Sequence, residues 1–248
     1  MKIKLIGTGS ISANSMSACA LVDGTILVDC PNGVTKRLQQ GGVKIEEVGL
    51  VLITHFHGDH DFDMPFLLWK RRLANKLNTN PKFKPTPLII IAPKGAAARY
   101  AEMAKLTGIS NQYEETPEPS FVEVESKHYK GIEFDKYKIT PYKMKHGELE
   151  CYGYTITRGG KTVGFSGDTA LCEGVESLIK SSAVAIVDVA TPTPEGEEAK
   201  HMYLPELEDL KSRFADCKIM PTHMTDDTRK QLKKKGHKPP NDNMEFKI

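Results

Sequence analysis

The chain opens on an alternating run, KIKLIG over residues 2–7, turns at GTGS, and continues into two apolar stretches, ACALV and TILVDC, hinged on Asp23-Gly24. An Asp-Gly pair between two such runs is a strong hairpin signal, so the chain is predicted to begin in β structure. NGVTKRLQQGG reads as a short helix closed by Gly41 and Gly42, and VGLVLIT as a β-branched strand buried in a sheet. From Asp61 onward Phe66, Leu67, Trp69 and Leu73 recur at helical spacing, up to the loop NKLNTNPKFKPTP and the strand LIIIA. Phe62, Phe66 and Trp69 read as core or pocket wall, although the same apolar face in DFDMPFLLWKRR could pack against a second copy in a homodimer. PKGAAARYAEMAKLTG is a helix with Pro93 near its start and Gly108 past its end.

Further strands are predicted at SFVEVE, IEFDKYKITPYKM, YGYTITRGGKTVGFSG and AVAIVDVA, and helices at LPELEDLKSRF and DDTRKQLKKKG. No repeat and no long low-complexity linker interrupts the series. A β-rich first half and a β-rich middle with interleaved helices predict an α/β fold over residues 1–248 as a single domain. Its expected architecture is a four-layer αββα sandwich, two sheets face to face with helices outside.

Composition narrows the partners. A hydrophobic fraction of 39% and a charged fraction of 27% exclude disordered and fibrous classes, and a net charge of +2 gives no strong pull toward nucleic acid. No apolar run nears the roughly 18 residues of a membrane span, and the apolar core of the N-terminus is too short for a signal peptide, so no membrane partner and a cytoplasmic location are expected. Cys19, Cys30, Cys151, Cys172 and Cys217 are odd in number and contain no CxxC pair, which argues against a disulfide framework and against a thiolate zinc knuckle.

The chemistry is concentrated in LITHFHGDH, residues 52–60. His55 and His57 are two apart, so in an extended loop both side chains can reach one point. Asp59 and His60 follow, and a tight turn at Gly58 is expected to aim them at a neighbouring point. His146, Asp168 and His223 each end a strand-like run, and an aspartate has two oxygens with which to bridge two divalent ions. The set then divides into His55, His57, His146 and Asp168 for one metal, and Asp59, His60, Asp168 and His223 for the other. His and Asp donors suit zinc, manganese or iron. A metal can lower the pKa of bound water from about 15.7 to about 7, so a metal-bound hydroxide is available at neutral pH, and two ions can hold both the attacking and the departing oxygen. Packing alone gives no reason to place three imidazoles and a carboxylate in six positions.

These residues resemble the metallo-β-lactamase superfamily, whose HxHxDH hallmark is matched by His55, His57, Asp59 and His60. The resemblance covers nearly the whole chain and implies a metallo-β-lactamase fold with a dinuclear, usually zinc, centre between the sheets. It also implies that His146, Asp168 and His223 complete the ligand set, with Asp29 supporting it from behind. KLIGTGS, ILVDCPNGV, FSGDT and the tail PPNDNMEFKI are similar to the ribonuclease Z and phosphodiesterase branch. By that resemblance His201, oriented by Asp188, donates a proton to the leaving oxygen, while Asp59 helps activate the hydroxide.

Two departures stand out. Met202 and Tyr203 occupy positions where the branch carries small hydroxyl residues. Only 21 residues separate His146 from Asp168, enough for a hairpin but not for the long arm with which ribonuclease Z enzymes grip tRNA. The expected function is therefore a dinuclear phosphodiesterase acting on small, cyclic phosphodiesters. The alternatives are tRNA 3′ processing, thioester or lactone hydrolysis, and a non-catalytic nucleic-acid-binding module. The basic runs KRRLANKLNTNPKFKP and RKQLKKKGHK leave RNA as a less favoured partner.

Overall fold

Side chains of successive residues leave a strand on opposite faces, and this chain uses that alternation to serve two cores from one strand. In β1 (Lys2–Gly7) Ile3 and Leu5 point into a central core, whereas Ile6 joins an outer one. β4 (Leu50–Leu52) repeats the division with Leu50 and Leu52 inward and Val51 outward, and β11 (Val184–Asp188) does so with Val184 and Ile186 against Ala185 and Val187. The computed structural model describes residues 1–80, 82, 84, 86–109, 119–194, 196 and 199–248.

Two sheets result. The first has the order β13-β1-β2-β3-β4-β5-β6, with β2 Cys19–Val22, β3 Ile26–Val28, β5 Ile89–Ala92, β6 Ser120–Glu123 and β13 Met244–Lys247. The second has the order β12-β11-β10-β9-β8-β7, with β7 Ile132–Phe134, β8 Tyr137–Lys143, β9 Tyr152–Arg158, β10 Lys161–Phe165 and β12 Lys218–Thr222. Their facing sides share the central core, which includes Val22, Leu52, Tyr154, Ile156 and Ile186. Helices α1 (Val34–Gln40), α3 (Met64–Leu77) and α4 (Ala96–Leu106) cover the outer face of the first sheet, where Leu38, Leu67 and Tyr100 are buried. The second sheet is covered by α5 (Glu173–Lys180), α6 (Leu204–Arg213) and α7 (Asp226–Lys234), through Leu178, Leu207 and Leu232. The four-layer αββα sandwich expected from the sequence is the observed architecture.

Strands β3, β4, β5 and β6 run parallel, as do β10, β11 and β12. β8 and β10 are both antiparallel to β9 and therefore share one direction. The segments leaving the C-terminal ends of β3, β4, β8, β10, β11 and β12 carry Asp29, His55, His146, Asp168, Asp188 and His223. β9 and β10 form a plain hairpin through Gly159 and Gly160, as the short spacing between His146 and Asp168 predicts.

Several expectations differ from the structure. Asp59 and His60 are placed not by a tight turn at Gly58 but by a short helix, α2 (Gly58–Asp61), which begins immediately after the extended His57. Of the two alternatives for Phe62 and Phe66, core is excluded, since they are 53% and 38% exposed, while Phe62 does line a groove. Helix α5 and strand β13 have no counterpart in the sequence reading. Each is short, and α5 lies against β8 so closely that a Cβ on Gly174 would stand 1.9 Å from the Lys143 carbonyl oxygen. Part of the predicted loop over 75–87, at residues 81, 83 and 85, lies outside the described residues.

Candidate metal centre

The loop after β4 runs extended through His57, whose φ and ψ are −74° and 146°, and so brings the rings of His55 and His57 together. His55 Nε2 lies 3.0 Å from His57 Nδ1, and His146 Nε2 lies 3.3 Å from the same atom. Asp168 Oδ2 stands 3.7 Å from His55 Nε2. These four residues offer one donor atom each, all within 4.8 Å of one another. Asp59, His60 and His223 form a second such group, and Asp168, Asp188, His201 and His223 a third. Asp168 joins the groups directly, with Oδ1 3.3 Å from His60 Nε2 and Oδ2 3.3 Å from His223 Nε2. Asp59 Oδ2 is 3.4 Å from His223 Nε2 and 3.7 Å from His60 Nε2.

Hydrogen bonds behind the rings decide which nitrogen faces the centre. The Asp29 carboxylate accepts from the Thr54 N–H at 2.8 Å, from Thr54 Oγ1 at 3.0 Å and from His60 Nδ1 at 2.8 Å. Because the Thr54 hydroxyl spends its hydrogen on Asp29, it can only accept from His55 Nδ1, 3.0 Å away. The Nε2 lone pairs of His55 and His60 are thereby turned toward the cluster, an arrangement typical of metal-ligating imidazoles. His146 Nδ1 donates to the Lys200 carbonyl at 3.0 Å, with the same consequence. Gly167, with φ of 61°, allows the loop after β10 to pass over Thr54, where a Cβ would come within 2.6 Å of the threonine Cβ.

The electrostatics fit a site for a cation. Burial, reinforced by neighbouring His60, holds His55 well below the ordinary histidine range, and burial with His146 lowers His57. Burial would lower His60 as well, but Asp168 and Asp29 outweigh it and raise the ring well above its usual value. His223 is likewise raised to about 10 against the effect of burial, by Asp168, Asp188 and Asp59. Burial would raise Asp168 and Asp59, yet His223 and His60 carry both carboxyls below their usual range. Without a cation, protonated histidines must balance the buried carboxylates. A divalent ion would replace those protons and free the nitrogens as ligands. Among the described residues His60 Nε2 and Asp168 Oδ1 are buried with no hydrogen-bond partner, which suits atoms that ligate a cation. The donor set therefore fits divalent metal ions.

The expected proton-donor pair is also assembled. His201 Nδ1 donates to Asp188 Oδ2 at 2.8 Å, and burial, which would lower its pKa, is outweighed by Asp188, so the ring titrates above the usual histidine range. Asp188 is fully buried and accepts a 2.9 Å bond from the Thr169 N–H. The two departures near His201 have structural explanations. Met202 is fully buried in the core beneath α6, and at Tyr203 the start of α6 is closed by Glu206, whose carboxylate accepts from the Tyr203 N–H at 3.1 Å. Neither Thr54 nor the Lys200 carbonyl carries a signal in the sequence, the carbonyl because every residue has one, whereas Thr169 closes the FSGDT segment. His128 instead caps a 3-10 turn by accepting from the Glu125 N–H, and His237 pairs with Glu208 at 3.3 Å.

A family model described as the beta-lactamase superfamily domain matches residues 24–224. A ribonuclease Z from Mycolicibacterium gilvum (strain PYR-GCK) is 29% identical over 199 residues, which is 75% of this chain and 68% of that protein. The next curated relatives are matched over about half of their own length. Among solved structures, human tRNase Z, short form, superposes with a TM-score of 0.74 at 16% identity, covering 100% of this chain and 99% of that one. A diphosphatase from the PhnP family superposes with a TM-score of 0.75 at 14% identity, covering 100% and 97%. At these identities the two structures speak to the fold alone.

Proposed function

The chain belongs to the beta-lactamase superfamily, and from that footing we propose that it is a dinuclear metal-dependent hydrolase of small phosphodiesters, cyclic ones among them. In this reading His55, His57, His146 and Asp168 hold one ion, and Asp59, His60, His223 and the shared Asp168 hold the other. Residues 1–248 act as one domain, because both sheets supply donors. The chemistry that such ions supply when bound is Lewis-acid polarisation of a phosphoryl oxygen and acidification of water. Zinc, manganese and iron all suit these donors, with zinc favoured by the family.

The observation that carries the reading is the His201 and Asp188 pair beside the cluster, with Nδ1 and Oδ2 2.8 Å apart. Nδ1–H donates to Asp188, which favours the imidazolium form, and in that form Nε2 carries the proton that the departing alkoxide needs. A thiolate is a far weaker base than an alkoxide and has less need of such an acid, which weighs against a thioester. Asp59 accepts a proton from the attacking water, and it also lines the open groove from which substrate enters. The relatives named ribonuclease Z favour tRNA 3′ processing as a second reading, whereas the plain β9–β10 hairpin leaves no arm to grip tRNA.

The test is hydrolysis by zinc- and manganese-loaded protein of bis-p-nitrophenyl phosphate, 2′,3′- and 3′,5′-cyclic nucleotides, precursor tRNA, a thioester and a lactone. Turnover confined to the small phosphodiesters is expected. Efficient trimming of precursor tRNA would transfer the conclusion to the second reading, and turnover of the thioester or lactone alone would end both. No helix among the described residues is long and apolar enough to cross a membrane.

A further inference from the structure

An open groove of about 470 Å³ runs between the segment after β1 and helix α2, with Ser10, Ile11, Asn32, Gly58, Asp59 and Phe62 among its walls. Asp59 also belongs to the donor group with His60 and His223, so the groove opens directly onto the candidate metal centre. A substrate whose phosphate sits at that centre must send one of its substituents along this groove.

The walls describe that substituent. Ile11 is 76% exposed and Phe62 53% exposed, two large apolar side chains left uncovered in one groove. Gly58 lies against the ring, where a Cβ would make an ordinary 3.7 Å contact with Phe62 Cδ2. Asn32 is exposed, and its amide makes no hydrogen bond among the described residues, so a donor and an acceptor are both free. Ser10 Oγ pairs only with Ser12 Oγ, at 3.1 Å, and whichever of the two donates, one hydroxyl hydrogen is left over. No basic residue is among the described residues that line the groove.

The wall is also held in place before any ligand arrives. The Asp242 carboxylate accepts from Thr8 N–H, Thr8 Oγ1 and Met16 N–H at 3.1, 2.9 and 2.9 Å. Gly9 N–H donates to the Met16 carbonyl at 2.8 Å, and the Asn14 amide donates to the Asp226 carboxylate. A pre-ordered wall does not have to lose further conformational freedom on binding.

We propose that this groove is a nucleobase subsite, in which the base of a nucleoside phosphodiester packs between Phe62 and Ile11 and presents its edge to Asn32. A base is flat and apolar on its faces and has donors and acceptors only on its edge, which matches a groove lined by two apolar side chains and an amide. A bare sugar would leave Ile11 and Phe62 wet, and an acyl chain would leave Asn32 without a partner. The assignment rests on the phosphodiesterase reading only in placing the phosphate at the cluster.

The test is the affinity of the zinc-loaded chain for adenosine 5′-monophosphate and for ribose 5-phosphate, by titration calorimetry, in the parent protein and in Phe62→Ala and Phe62→Trp. Phe62 is exposed, so neither variant disturbs the core. The parent is expected to bind the nucleotide about tenfold or more tighter than the sugar phosphate, with Phe62→Ala removing that margin and Phe62→Trp keeping it, as base stacking on an aromatic ring is worth. Equal binding of the two probes by the parent, or an equal loss of both in Phe62→Ala, overturns the subsite. If this pattern holds while no phosphodiester is hydrolysed, the subsite stands and the phosphodiesterase reading falls.

Discussion

Asp29→Asn separates a supporting role at the metal centre from a packing role. The buried carboxylate accepts three hydrogen bonds, two from Thr54 and one from His60 Nδ1. Asparagine has nearly the same volume, and its oxygen can keep the Thr54 N–H bond. Its amide nitrogen, however, is a donor and meets the His60 Nδ1 hydrogen head on. The ring must swing away or move its proton to Nε2, the atom that stands 3.3 Å from Asp168 Oδ1, and a ring protonated at Nε2 cannot ligate there. Changing a group that orients a ligating histidine costs about 10- to 100-fold in metal affinity. That range corresponds to about 1.4 to 2.8 kcal/mol.

Stability without metal should fall by less than with it. The lost charge-assisted bond is worth about 1.5–3 kcal/mol, and burial already works against the charged form of Asp29, raising its pKa, so a neutral amide recovers part of the loss. The assay is competition for zinc against a chromophoric chelator, with melting curves recorded in zinc and in EDTA. Two equivalents of zinc bound with the parent's affinity would refute the reasoning. So would a drop in melting temperature that is equal in the two conditions, because Asp29 would then be acting through packing alone.

His201→Ala is expected to lower kcat on an alkyl phosphodiester by about 10²- to 10⁴-fold while zinc content stays at the parent's level, and a loss of zinc along with activity would make His201 a ligand instead. Arg99→Ala strips a fully buried carboxylate, Asp61, of its guanidinium and removes the 3.0 Å bond from Arg99 Nη2 to the Phe56 carbonyl; urea unfolding should show a cost of about 3–5 kcal/mol, and a cost below about 1 kcal/mol would refute it. Asp23 ties the first sheet to the second by accepting from Lys2 N–H, Tyr137 OH and Arg158 at 2.7, 2.8 and 2.8 Å, and although burial opposes it, these donors hold its carboxyl below the usual range. Its contribution is therefore complete above the unfolded carboxylate pKa of about 3.9 and is lost as pH falls through the lower folded value, so Asp23→Asn should flatten the stability profile below about pH 4. An unchanged acid limb in that variant would remove Asp23 from the account.

The long elements were readable because periodicity reports burial. Leu50, Val51 and Leu52 alternate between two cores, and only a strand covered on both faces leaves such a continuous apolar run. The cluster in residues 55–60 was readable because nothing structural asks for that composition. Helix α5 was not, since Val175, Leu178 and Ile179 make only one buried stripe over eight residues, and its seat against β8 depends on the missing side chain of Gly174. β13 is legible only through its partner: Met244, Glu245, Phe246 and Lys247 alternate too briefly to declare a strand until β1 supplies the ladder.

Phe62 and Phe66 show where periodicity stops. Their spacing identifies an apolar stripe on the helix correctly, but says nothing about what covers it, and in the folded chain both remain exposed. Other local rules are broken at the candidate metal centre. Asp29 and His223 hold left-handed backbones, with φ of 59° and 54°, that side chains other than glycine seldom adopt. Asp168 and Asp188 are buried carboxylates, each with an oxygen that no hydrogen bond satisfies. Such costs persist only where the surrounding structure imposes them, and here two sheets do so along a single edge. Asp59, a member of the candidate donor group, and the uncovered ring of Phe62 thus meet in one groove. The ligand that the proposed subsite would take is charged at one end, toward the candidate metal centre, and flat and apolar at the other, toward Phe62.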